Sequence, residues 1–188
     1  MLNRLVPMLL LVSALPAWGV TPAVGVPPLE LTVERVDGVD GKVYQIASSG
    51  TVAASPAAVW RILTDYNRMA DYVPDLTSVR VVSRSGDKVI IEQEGGVRFL
   101  FFSRAIHLVV QAHEQAPNKI DVSLVEGDMK VYRCSWELQQ VAGGGTRVVY
   151  TAAIAPKFYV PGMVSASLVR KDIARMMASV LARLDRVD

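Results

Sequence analysis

Residues 51–78, TVAASPAAVWRILTDYNRMADYVPDLTS, decide the fold. They read as the end of a strand, a capped helix, a second short helical turn and the start of another strand. Ser55 is a good N-cap, and Pro56 stands at the first helical position, where a missing N–H costs nothing. Val59, Ile62 and Leu63 recur at helical spacing with Trp60 beside them. Asn67 is placed to cap the second turn. Pro74 biases Val73 away from helical backbone and so ends the segment.

Upstream, the chain opens on a targeting pattern. Arg4 gives a weakly positive start, residues 5–15 are nearly all apolar, and Ala17-Trp18-Gly19 offers small residues at the −3 and −1 positions. This predicts a secretory signal peptide over 1–19, with Thr21-Pro22-Ala23 as a second cut site after residue 23. The apolar run is too short for an ordinary membrane span, and no cysteine follows it to carry a lipid; an uncleaved interfacial anchor is the alternative. Residues 20–28 hold Pro and Gly and no charge, a linker. The chain has 188 residues, 51% of them hydrophobic, enough for a single domain over 29–188. A net charge of +2 argues for neither nucleic acid nor a polyanion as partner. With one cysteine, Cys134, no internal disulfide is possible. The expected location is the bacterial periplasm or the exterior.

On either side of the opening stretch the period is that of strands. Leu29, Leu31 and Val33 alternate with polar residues, Asp37-Gly38-Val39-Asp40-Gly41 turns, and residues 43–52 return, a hairpin. After Pro74, Val79, Val81 and Ser83 alternate with charges, and residues 89–93 return after Ser85-Gly86-Asp87. Gly95-Gly96 reads as the next turn, and 97–111 as a long central strand, apolar on both faces. Ile120, Val122 and Leu124 alternate between the turns Pro117-Asn118 and Glu126-Gly127-Asp128. In 129–139, Tyr132, Cys134, Trp136 and Leu138 share one face, and three glycines at 143–145 turn into 147–155. Short Gly turns at this spacing indicate an antiparallel meander. From 161 to 187 the period becomes helical, with Val169, Ile173, Met176, Met177, Val180, Leu184 and Val187 in one stripe. Residues 158–169 carry no charge, so that segment is buried on two sides or forms an apolar rim.

The expectation is an α+β fold: a curved antiparallel sheet of six to seven strands wrapped on a long C-terminal helix. Two short helices follow the first strand, and the N-terminal hairpin adds an extra strand. A curved sheet must have its concave face covered, and the last helix alone is long enough. This order resembles the helix-grip fold of the START-like (SRPBCC) superfamily. Ser55-Pro56-Ala57-Ala58-Val59-Trp60, Leu63-Thr64-Asp65-Tyr66 and Tyr72-Val73-Pro74 resemble the opening of its coenzyme Q-binding / polyketide cyclase-dehydrase branch. Glu126-Gly127-Asp128 ahead of Trp136-Glu137-Leu138 is similar to that branch's later strand pair. The resemblance spans 43–188 and implies an isoprenoid quinone or other apolar molecule held between sheet and helix. The leader and the extra hairpin depart from the quinone-binding members.

Residue chemistry narrows the function less. His107 and His113 share one side of a strand, without a Cys, His or carboxylate at metal spacing, so no metal site is expected. Cys134 reads as a small buried hydrophobe, because no base stands near it to make it a nucleophile. Glu92 and Glu94 read as a solvated face, and Glu126 and Asp128 as turn chemistry. Arg98 and Arg104 interrupt an apolar strand and either orient a polar ligand head or extend out to water. No Walker loop, G-x-S-x-G or dinucleotide fingerprint occurs, and no cofactor or catalytic residue is assigned. The ligand-lining expectation is Phe102, Arg104, Tyr132 and Trp136 from the strands and Val169, Ile173, Met176 and Val180 from the helix. Three functions stay open: an exported carrier for a hydrophobic small molecule, with transient membrane contact; a cyclase/dehydrase-type enzyme using Arg98, Arg104, His107 or Glu126; and an interaction module with a collapsed cavity. The lack of an evident acid/base pair favours the first. N-terminal sequencing of the exported protein is expected to start near Val20 or Val24; an intact Met1 in a cytoplasmic fraction refutes the leader.

Overall fold

The computed structural model of the chain describes residues 29–39, 41–99, 102–159 and 165–186; the side chains of Arg98, Phe99 and Phe102 fall outside that set. Residues 1–28, read above as leader and linker, and residues 160–164 also lie outside the described residues.

The alternation at Leu29, Leu31 and Val33 produces β1 (Glu30–Gly38), which pairs with β2 (Gly41–Val52) as the expected hairpin. Six further strands follow: β3 (Leu76–Ser85), β4 (Lys88–Phe99), β5 (Phe102–Gln115), β6 (Lys119–Gly127), β7 (Met129–Gln140) and β8 (Thr146–Pro156). All pair antiparallel in one sheet of order β1-β2-β8-β7-β6-β5-β4-β3. That makes eight strands, the upper expected count plus the extra hairpin strand. Because β2 lies beside β8 while β3 is the far edge, the chain between them must cross from one side of the sheet to the other. The stretch that does so contains the helices read from the sequence.

Helix α1 (Pro56–Leu63) starts as expected, with Ser55 Oγ accepting the Ala58 N–H at 3.4 Å and Pro56 at the first position. It buries Val59 and Leu63 and holds Trp60 partly buried against the core. A short 3-10 helix follows (Tyr66–Asp71). Asn67 does not cap it: its Oδ1 accepts the Val81 N–H at 3.0 Å, tying the turn to β3 instead. A backbone N–H of an exposed strand edge needs a partner, and Asn67 supplies it.

Helix α2 (Ala166–Leu184) begins five residues later than the periodicity predicts, with Ser165 at its N-cap position. It rests against β1 and β2 and buries Val169, Met177, Val180 and Leu184. Gly50 on β2 makes the approach possible, since a Cβ there would stand 2.3 Å from Leu181 Cδ1. At the other end of the helix, Asp185 Oδ1 accepts the Ala53 N–H at 2.8 Å, and the buried Thr146 hydroxyl donates to the Ala54 carbonyl at 2.7 Å. The connection leaving β2 is thus clasped between α2 and β8.

Gly95-Gly96 is not a turn. β4 runs through both glycines to Phe99, pairing Gly95 with Ile106 and Val97 with Arg104. The glycines serve a close approach: a Cβ on Gly95 would lie 2.5 Å from the Asp75 carbonyl, and the Gly96 N–H donates to that carbonyl at 2.8 Å. Two glycines in a strand mark either a turn or a place where another backbone passes, and here the second holds. The expected long strand 97–111 is therefore divided, Arg98 belongs to β4, and Phe102 begins β5. Leu63→Ala is expected to cost about 2–5 kcal/mol, since it empties a buried site under α1; urea denaturation measures it, and an unchanged midpoint would mean the helix face is misassigned.

Candidate ligand cavity between sheet and helix

Alternation along the strands decides what faces α2. Ile91 on β4, Val110 on β5, Ile120 and Val122 on β6 and Tyr132, Cys134 and Trp136 on β7 all point to the concave side, with Tyr150 on β8. Between them and α2 lies a cavity of 140 Å³. Leu63, Tyr66, Met69, Val73 and Leu76 close one side, and Met176 closes the helix side. The segment 51–78 thus supplies a wall as well as the crossing.

The polar atoms here are neutral. The Trp136 and Tyr150 rings pack with centroids 4.5 Å apart at 44°. Cys134 lies between the Tyr150 and Tyr132 hydroxyls, and burial pushes its thiol up to about 12 despite both contacts. Burial likewise raises Tyr132 and Tyr150 far above the usual phenol range. Tyr66 is raised by burial and by the bond its hydroxyl donates to Glu114 Oε1 at 2.9 Å; Glu114 Oε2 accepts from Arg84 at 2.7 Å. No cavity-lining side chain among the described residues is charged.

The sequence-predicted lining divides. Tyr132, Trp136 and Met176 face the cavity. Ile173 packs against both the main core and the Tyr44 and Val169 cluster without lining the cavity, and Val180 is fully buried in the main core. Arg104 is exposed, its guanidinium 4.6 Å from the Phe158 ring centre, so it caps an apolar rim residue instead of reaching inward. The Phe102 side chain lies outside the described residues. Sequence reading missed Tyr66, Gln93 and Tyr150. Gln93 left a signal, because it continues the apolar row Val89, Ile91 as its one polar member.

At the cavity edge, Asp75 holds positive φ (63°), unusual for a residue other than glycine. Its carboxylate pairs with Arg175 of α2 while its carbonyl holds Gly96, so one residue ties the crossing segment to both sheet and helix.

The other polar features face outward. His107 Nε2 lies 3.0 Å from Glu92 Oε1, and Arg80 pairs with the other oxygen of that carboxylate. The His107 bond holds Glu92 below the usual carboxylate range, and the same bond raises His107. His113 Nε2 meets Asp87 at 2.8 Å. Each histidine therefore has the carboxylate partner that local spacing did not show, supplied by β4 for His107 and by the β3–β4 turn for His113. Asp128 accepts the His107 N–H at 2.9 Å, a backbone role in keeping with turn chemistry. Among the described residues no three His, Cys, Asp or Glu side chains gather to hold a metal. A larger depression of 950 Å³ on this outer face is lined by Thr32, Gln45, Gln111, Asp121, Arg133 and Thr151. Ala47 and Ala153 line it as well, so its surface is mixed, and it is wide open to water.

A family profile described as polyketide cyclase / dehydrase and lipid transport matches residues 52–181. The chain belongs to that family. No curated protein matches its sequence significantly. Among solved structures, it is similar to a START superfamily protein from Mycobacterium smegmatis, with TM-score 0.66 and 14% identity over 77% of this chain and 99% of that one. A STAR-related lipid transfer protein from Xanthomonas axonopodis gives TM-score 0.63 and 16% identity over 82% and 99%. The Zhui aromatase/cyclase from Streptomyces sp. R1128 gives 0.60 and 15% over 77% and 94%. At these identities the likeness is one of fold, the START helix-grip fold with added N-terminal strands. The family and its fold go with binding or cyclising small molecules.

Because Cys134 is held protonated, it is expected to resist a thiol reagent at pH 8 until the protein unfolds. The sign for stability follows: above 9.0, the thiol's ordinary value, the unfolded chain loses a proton that the folded chain keeps, so stability falls as pH rises. Reaction of the native protein at the rate of a free thiol would contradict this placement.

Proposed function

We propose that the protein is an exported carrier that holds an apolar small molecule, such as a lipid, an isoprenoid quinone or a polyketide-like compound, between the sheet and α2. The observation that carries this reading is the neutrality of the cavity: apolar walls with a few uncharged polar groups and, among the described residues, no acid/base pair. Apolar surface with sparse hydrogen-bonding groups is the character of a small-molecule site. A cyclase or dehydrase needs a group that gains or loses a proton near neutral pH. Tyr66 does not serve, since burial and Glu114 keep its proton in place.

The size fits one ring or a chain end. A cavity of 140 Å³ is close to the engineered void of about 150 Å³ that admits benzene. A longer body requires wall side chains to move, and Met69 and Met176 are the adaptable ones. Export is supported by the leader pattern at 1–19. Transient membrane contact is supported by the uncharged stretch 158–169, of which Tyr159 is 82% exposed. The test is titration with neutral N-phenyl-1-naphthylamine. Wild type is expected to show saturable fluorescence enhancement, and Met176→Trp, which fills the cavity, to abolish it with the thermal midpoint retained. No binding by wild type, or equal binding by both, would remove the carrier reading and leave the interaction module.

A further inference from the structure

The polar side chains that line the cavity differ in whether they already have partners. Tyr66 gives its hydroxyl proton to Glu114, and Tyr132 and Tyr150 both turn to Cys134. The Trp136 indole, stacked on Tyr150, brings only a donor. Gln93 is different. It sits on the concave face of β4, next after the fully buried Val89 and Ile91, and between Val79 of β3 and Leu108 of β5 in register. Among the described residues no hydrogen bond reaches its side-chain amide. Its carbonyl and its NH2 are both available on the cavity wall.

Gln93 is only partly buried, so water can reach its amide while the cavity is empty; a molecule that fills the cavity displaces that water and must replace its hydrogen bonds. We infer that Gln93 is the polar anchor of the cavity and that its ligand is a neutral molecule with an apolar body and a hydroxyl or carbonyl oxygen set against that amide. The inference rests on the carrier reading. A carboxylate or ammonium head would meet no opposite charge, since no charged side chain among the described residues lines the cavity, and Glu114, which bonds the lining Tyr66, is also held by Arg84. A pure hydrocarbon would displace that water and leave the amide unpaired. An amide both donates and accepts, so an alcohol or a ketone satisfies it equally.

Calorimetric titration of the exported protein with phenol, toluene and benzoate tests this. Phenol and toluene have nearly the same shape and differ in one oxygen; benzoate adds a charge. Wild type is expected to bind phenol about tenfold more tightly than toluene, the ratio one net hydrogen bond gives, and to leave benzoate unbound at the same concentrations. Gln93→Leu is expected to weaken phenol about tenfold and bring the two neutral probes level; Gln93→Met, nearly the same length and unbranched, repeats the comparison if the leucine variant does not fold. Toluene binding as tightly as phenol in wild type, or a phenol preference kept by both variants, overturns the anchor while the carrier reading stands. If wild type takes neither toluene nor phenol, the carrier reading falls and takes the anchor with it.

Discussion

One helix must cover the concave face of an eight-stranded sheet, and it does so from one side. α2 rests against β1 and β2, and the absence of a side chain at Gly50 lets Leu181 press onto the β2 backbone. Seated there, the helix brings Met177, Val180 and Leu184 into a core from which water is excluded. The same seating aims Asp185 at Ala53, fixing where the chain leaves the sheet and so where α1 begins. Were α2 lifted by the width of a methyl group, the clasp at Ala53 and Ala54 and the start of the crossing would shift together.

The far strands then lie beyond the reach of α2. The space over β4, β5 and β6 is closed by Leu63, Tyr66, Met69, Val73 and Leu76 of the crossing segment. Closure by side chains from two separate elements packs less completely than closure by one, and a cavity remains. Asp75 couples the two closures. Its carbonyl is bound to β4 through Gly96 and its carboxylate to α2 through Arg175, at the cost of a backbone conformation that side chains disfavour. Any widening of the cavity that parts the crossing segment from α2 must first separate that ion pair.

Most of this architecture was legible because each element carries its own period. The cap at Ser55 and Pro56, the hairpin at residues 29–52 and the row Tyr132, Cys134, Trp136, Leu138 stand where alternation and turn chemistry put them. The errors occurred where one local pattern has two physical causes. Two glycines permit either a reversal or a neighbour's close passage, and only the position of Asp75 decides for Gly95. An asparagine side chain can bond its own turn or an adjacent strand edge, and Asn67 takes Val81. The cavity lining was half legible. Tyr132, Trp136 and Met176 follow from period alone, but Ile173 and Val180 share Met176's stripe and still miss the cavity, because the helix lies nearer β1 and β2 than β4. Stripe membership fixes which side of a helix is buried and leaves open what it is buried against.

The separation of polar groups by face bears most directly on function. The two histidine–carboxylate pairs, His107 with Glu92 and His113 with Asp87, lie on the outer face. On the inner face every described polar side chain at the cavity is a phenol, a thiol, an indole or an amide, and burial drives the phenols and the thiol further from ionising. A strand places alternate residues on opposite faces, so moving a base from the outer row to the inner one requires a one-residue slip, which would also carry Ile106, Leu108 and Val110 out to water. The sheet register that stabilises the fold thus keeps both histidine–carboxylate pairs on the outer face, while Glu114, on the inner row of β5, is held by Tyr66 and Arg84. On the carrier reading, a site built this way holds a neutral molecule by shape and single hydrogen bonds.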